Sequence, residues 1–92
     1  MYAVVTTVNV VPEQFDAGRK ELQDRIVPRV RQAAGFVRGY WLVRDDHRQG
    51  LSTIVFKTKE DATQAMGMVR NTQFPAGVTL ASVETREVIA DA

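Results

Sequence analysis

The sequence predicts an α+β domain with the element order β-α-β-β-α-β. Three observations carry that reading. Runs rich in β-branched and aromatic residues lie at 2–11, 36–44, 51–57 and 78–90. Two intervening stretches repeat apolar residues at three- and four-residue spacing. A short polar turn, Asp45-Asp46-His47-Arg48-Gln49-Gly50, joins the two middle strands as a hairpin.

The first strand runs from Tyr2 to Val11 and stops at Pro12. Its two faces are both partly apolar: Val4, Val8 and Val10 on one, Ala3, Val5 and Val11 on the other. A strand wetted on one side alternates more cleanly. Pro12-Glu13 opens the first helix, whose stripe is Phe15, Leu22, Ile26, Val30 and Ala33. Pro28 removes the bond back to the Asp24 carbonyl, so a kink or restart is expected there, and Gly35 is expected to end the helix in the left-handed region. Phe36 to Arg44 is the second strand and Leu51 to Lys57 the third. Thr58 is an N-cap residue with Asp61 three positions on, and Ala62, Ala65, Met66 and Val69 form the second helical stripe. A loop from Asn71 to Gly77 leads to a long fourth strand, Val78 to Ala90.

In the split βαβ, ferredoxin-like arrangement, both helices cover one face of a four-stranded antiparallel sheet. The other face stays bare. Val5, Val11, Val37, Trp41, Val43, Leu51, Val55, Val83 and Ile89 supply too much apolar surface for either face to stand in water. A second copy of the sheet covers what two helices do not, so a homodimer closed face to face is expected.

Composition narrows the function classes. The 92 residues form one domain, 1–92, with 45% hydrophobic and 25% charged residues. Net charge is +1 and no stripe of Lys or Arg forms, which argues against a nucleic-acid or membrane-surface partner. There is no Cys, so disulfides, thiolate metal sites and cysteine nucleophiles are excluded. The start of the chain has no basic segment before an apolar one, and the cytoplasm is the expected compartment.

Three segments carry a family resemblance: Gly35-Phe36 through Gly39-Tyr40-Trp41-Leu42, the hairpin to Gly50-Leu51-Ser52, and Phe56-Lys57-Thr58-Lys59-Glu60-Asp61-Ala62. Together the chain resembles the antibiotic biosynthesis monooxygenase-like (ABM) domains of the dimeric α/β-barrel superfamily. The Gly-Phe start of the second strand and the Thr-x-Glu-Asp-Ala start of the second helix are typical of that group. These are signatures of fold rather than of catalysis. The resemblance implies a dimeric α/β barrel and cofactor-free oxygenation of polyphenols, or haem degradation. The family's enzymes carry a polar residue, often Asn, on strand one, a Trp near the end of strand three and, in haem degraders, a His after helix two. Here Asn9 lies about one pleat further along, Phe56 stands at the Trp position, and Asn71-Thr72-Gln73 holds no His.

The candidate ligand-binding residues are Trp41, Tyr40, Asn9 and Arg38. An indole in a barrel can stack an aromatic substrate, and Tyr40 faces the opposite side of the same strand. Asn9, with Thr7 on its face, offers hydrogen bonds to a phenolic oxygen. Arg38, on the face of Tyr40 with Arg44, can hold a phenolate. Each has a plain structural alternative: a packed core indole, an exposed strand end, a surface rim. His47, the only His, sits among charges in the polar turn and reads as surface decoration, and Met66 and Met68 read as packing. No catalytic residue, metal site or cofactor is assigned.

Two functions follow. One is a cofactor-independent monooxygenase acting on a small aromatic or polyphenolic substrate. The other is a non-catalytic dimer that binds a small ligand or serves a structural role. A cavity of ~300 Å³ or more, lined by Trp41 or Tyr40 and a polar side chain, favours the first. A filled sheet interface favours the second.

Overall fold

The computed structural model describes residues 1–92. Four strands, β1 (Tyr2–Val10), β2 (Phe36–Val43), β3 (Gln49–Phe56) and β4 (Val78–Glu87), form one antiparallel sheet in the order β2-β3-β1-β4. β1 and β2 both run antiparallel to β3, and β3 and β4 both run antiparallel to β1. Each helical connection therefore crosses over between two parallel strands with one strand between them, which is the ferredoxin-like α+β topology.

The first connection is one helical rod in four parts. A 3₁₀ turn (Pro12–Gln14) leads into α1 (Phe15–Glu21), a π-turn (Leu22–Ile26) and α2 (Val27–Arg31). The π-turn answers the expectation of a break near Pro28. Without an N–H at position 28, the ladder widens ahead of it, and the Val27 N–H bonds the Leu22 carbonyl. The rod ends at Arg31, four residues before Gly35. Gly35 has φ 77° as expected, but it serves the turn into β2 rather than capping the helix. Its carbonyl accepts from the Lys57 N–H at 2.9 Å. A Cβ at Gly35 would run into the Asp61 carboxylate. Asp61 lies in the first turn of α3 (Lys59–Arg70), whose cap is formed as the sequence indicates: the Asp61 N–H donates to Thr58 Oγ1 at 3.1 Å.

The core sits between the sheet and α3. Val4, Ile54, Phe56 and Ala62 are its fully buried members, with Val30, Ala33, Phe36, Trp41, Met66 and Val83 packed around them. Phe36 reaches this face because β2 carries an extra residue, Val37: Phe36 pairs with Phe56, whereas Arg38 pairs with Val55. The bulge reverses the parity of the strand, so Phe36 and Trp41 share the helix side while Arg38, Tyr40 and Leu42 face away. The opposite sheet face, with Val5, Tyr40, Leu42, Leu51 and Val55, has nothing over it in the single chain. Only 8 of 92 residues are buried, a thin core for a chain of this length.

Two expectations are corrected. β4 ends at Glu87 rather than Ala90, because its sole neighbour β1 begins at Tyr2, the partner of Glu87. The last ladder-like bond is Val88 N–H to the Met1 carbonyl, and Ile89 is 92% exposed. His47 is not decoration. Its ring stacks on Phe15 with centroids 3.9 Å apart, and its φ is +60°. The stack ties the β2–β3 hairpin to α1, at some backbone cost.

We therefore expect Gly35→Ala to destabilise the chain by about 2 kcal/mol or more in urea denaturation, since both its φ and the space beside Asp61 exclude a side chain. His47→Ala should cost about 1 kcal/mol through the lost ring stack. A change under about 0.3 kcal/mol in the second variant would return His47 to a passive surface role.

Candidate functional site

A half-open cleft of about 1050 Å³ lies between the helix-side face of the sheet and the helical layer. Its floor is the sheet. One row of directly opposed residues crosses it: Trp41 on β2, Ser52 on β3, Thr6 on β1 and Val83 on β4. Opposed residues on neighbouring strands stand ~5 Å apart, so indole and hydroxyls form a continuous strip. Ile26 and Val30 of the rod, with Ala33 just beyond its end, make one wall, Ala65, Met68 and Val69 of α3 another, and Phe74 and Pro75 of the loop before β4 close the end.

The local sequence explains how the strip is held. Gly39 lies two residues before Trp41 on the same face. A Cβ there would sit 3.3 Å from the indole Cζ3 and Cη2 and 3.3 Å from Ile54 Cγ1. The absent side chain lets the indole lie flat along its own strand. Thr6 falls between Val4 and Val8 on the core parity of β1, and its residue is 5% exposed. Its Oγ1 is shut off from solvent and has no hydrogen-bond partner. Ser52, beside it, is 9% exposed. An orphaned buried hydroxyl costs ~1–3 kcal/mol, and it stands in the floor of a cleft.

The rim carries charge. Glu21 and Arg25, one turn apart on the rod, pair through Nη2–Oε1 at 2.7 Å and Nε–Oε1 at 2.9 Å. Arg29 follows one turn later. Away from the cleft, Lys20 is held above the ordinary lysine value by its hydrogen bond to Asp24 and by that carboxylate's charge, in an exposed surface pair.

Of the four candidates named from sequence, the structure places only Trp41 in the cleft. Tyr40, 59% exposed, and Arg38 project from the opposite sheet face. Asn9, exposed at the far end of β1, shares that face with Thr7. Phe56, at the position where the ABM enzymes carry a Trp, is 1% exposed in the core. Sequence reasoning missed Thr6 and Ser52. The signal was present, because Thr6 interrupts the valines of the buried parity at Val4 and Val8.

No family model matches the sequence, and no curated protein does. Solved structures match across the whole chain. HapK from Hahella chejuensis superposes with a TM-score of 0.74 at 12% identity, covering 100% of this chain and 96% of the other. The haem degrader MhuD from Mycobacterium tuberculosis, solved with two haems in its active site, gives 0.76 at 15% identity and covers 100% and 99%. A monooxygenase from the gene ActVA-Orf6 of Streptomyces coelicolor, in complex with nanaomycin D, gives 0.60 at 10% identity and covers 99% and 92%.

The chain has the ABM-like fold. At such identities the likeness carries the fold and leaves the chemistry to the site. The donor set of the cleft does not suit a haem iron. No His, Cys or Tyr lines it, the Met68 thioether being the one soft donor and a weak one alone, and the segment after α3 presents Asn71, Thr72 and Gln73. His47 stacks on Phe15 elsewhere.

The orphaned hydroxyl gives a direct test. Thr6→Val keeps the shape and removes the unpaired group, so it should stabilise the free protein by about 1 kcal/mol in urea denaturation. A loss of stability would mean that Thr6 Oγ1 has a partner inside the fold.

Proposed function

We propose that this chain is a cofactor-independent monooxygenase that oxidises a small polyphenolic aromatic held on the Trp41–Ser52–Thr6 strip. The observation that carries the reading is that strip: an indole and two buried hydroxyls in one row on the floor of a cleft of about 1050 Å³. Twelve of the 23 residues around the cleft are hydrophobic, a mixture suited to a planar ring bearing hydroxyl groups. MhuD was solved with two haems in its active site and the Streptomyces monooxygenase in complex with nanaomycin D, and both share this fold.

The chemistry asks little of the protein. An ionised naphthol supplies its own electrons. Oxygen adds at the ring carbon para to the phenolate, forming a C–O bond. Loss of the proton from that carbon and cleavage of the O–O bond then give a quinone and water. The balance is naphthol + O₂ → naphthoquinone + H₂O, with no external reductant. In this scheme Trp41 stacks the ring and the Ser52 hydroxyl donates to the phenolate oxygen as its charge shifts, joined by the Thr6 hydroxyl once rotation about its χ1 turns that shut-off oxygen toward the ligand. The low-dielectric floor strengthens those bonds, and a bound oxygen satisfies the hydroxyl that is orphaned in the free protein.

A second copy completes the arrangement by covering the open sheet face. Tyr40, Leu42, Leu51 and Val55 make that face apolar, and Leu42 is 55% exposed in the single chain. Burial of such a face reaches the ~1,200 Å² or more of a stable association.

Oxygen uptake and quinone absorbance with hydroxylated naphthalenes and anthracenes test the activity, and quenching of Trp41, the sole Trp, reports binding. Trp41→Phe should keep the fold and weaken binding by roughly 0.5–1.5 kcal/mol, read by calorimetry because the variant has no Trp. Thr6→Val should lower kcat by about a hundredfold, the lower end of what loss of one oxyanion donor does. Neither quenching nor uptake across the series would leave the non-catalytic reading in its place. Sedimentation at micromolar concentration should show a dimer, and Leu42→Glu a monomer; a monomeric parent chain would sink the face-to-face arrangement.

A further inference from the structure

The charges around the cleft do not cancel. Three charged residues line it, all on one side of the helical rod at four-residue spacing: Glu21, Arg25 and Arg29. Glu21 is spent on Arg25, which it meets at both Nε and Nη2. Arg29 makes no ion pair, and no other acid lines the cleft. The lining as a whole is thus one Glu against two Arg, a net single positive charge.

The rod's local structure sets this up. The π-turn over 22–26 shifts the helix phase ahead of Pro28, and from its last residue onward the cleft side carries Ile26, Arg29 and Val30 of the rod and Ala33 beyond it. Val30, the next residue after Arg29, packs against the same core cluster as Trp41. Arg29 itself is exposed and lines the cleft whose floor holds the indole, so its charge is free to meet a ligand there. A cleft walled by apolar side chains focuses the field of such a charge on its interior.

We infer that Arg29 is a specificity-determining residue and that the cleft selects aromatic ligands bearing a carboxylate over neutral ones. The inference rests on the reading of the cleft as an aromatic-binding site and adds the charge of the ligand to it. The planar guanidinium presents parallel N–H donors that match the two oxygens of a carboxylate, which an alcohol or ether cannot mirror. Arg38, the cation that the sequence pattern suggests for this role, stands on the other sheet face and cannot supply it.

The probes are 1-naphthol and 1-hydroxy-2-naphthoate, titrated separately and followed by Trp41 emission. At low salt the naphthoate should bind about fivefold tighter, the scale of a solvent-exposed ion pair. The preference should shrink as salt is raised to about 0.5 M, where exposed charges are screened. Arg29→Gln should bring naphthoate down to the affinity of naphthol. Arg29→Lys should keep the fold and the part of the preference that charge alone supplies, while losing the part that the paired guanidinium donors add, which separates both effects from misfolding. Glu21→Gln should enlarge the preference by releasing Arg25. Equal affinities in the parent chain, or a preference untouched by Arg29→Gln, would overturn the role of Arg29 and leave the aromatic site standing. If neither compound quenches Trp41, the aromatic reading itself falls and the charge preference falls with it.

Discussion

The close approach of Gly35 to Asp61 is the constraint on which the rest of this structure depends. It joins the two βαβ halves. Gly35 ends the connection from the first rod and starts β2, and Asp61 belongs to the first turn of α3. Only a residue without Cβ, at φ 77°, lets the chain pass so near that carboxylate. The bond from the Lys57 N–H to the Gly35 carbonyl fastens the same point from the sheet side. One residue along from Asp61, Ala62 is fully buried against Phe56, so the core begins where the backbone is pinned. Two of the three segments that resemble the ABM domains, those with Gly-Phe and Thr-x-Glu-Asp-Ala, are thus two sides of one contact.

With α3 drawn tightly onto one end of the sheet, the helical layer does not close over the rest. The rod is long, broken by a π-turn and ended at Arg31, and it bridges the sheet rather than filling the space above it. The result is the cleft. A close-packed core would place an apolar side chain at position 6. A hydroxyl stands there instead, shut off and unpaired. That departure from packing rules costs stability, and it is the feature on which the proposed ligand contact rests.

The two sheet faces divide the work. Trp41 and Tyr40 are adjacent in sequence and serve opposite surfaces, one the cleft and one the open face that suits a second copy. A bulge at Val37 decides how β2 is shared between them, because it turns Phe36 inward without turning Arg38 or Tyr40 with it. At the far end, the Phe15–His47 stack and the positive φ of His47 hold the hairpin against the rod.

What the sequence determined by itself was the order and kind of the elements. Strand composition, helical stripes, the Thr58 cap and the disruption at Pro28 are local properties, set by residues within a few positions of one another. The apolar character of both strand parities also showed that one sheet face lacks a cover. The site was decided by tertiary structure. Trp41 was legible as a large aromatic on a strand, but its companions were not. Thr6 and Ser52 become neighbours of Trp41 only through the registers of β1 with β3 and of β3 with β2, which lie more than forty residues apart along β1 and β3. Side chains alternate with period two, so a single bulge reassigns every residue on one side of it to the other face. For the same reason Asn9, Tyr40 and Arg38 look like site residues in the sequence and stand outside the cleft in the fold.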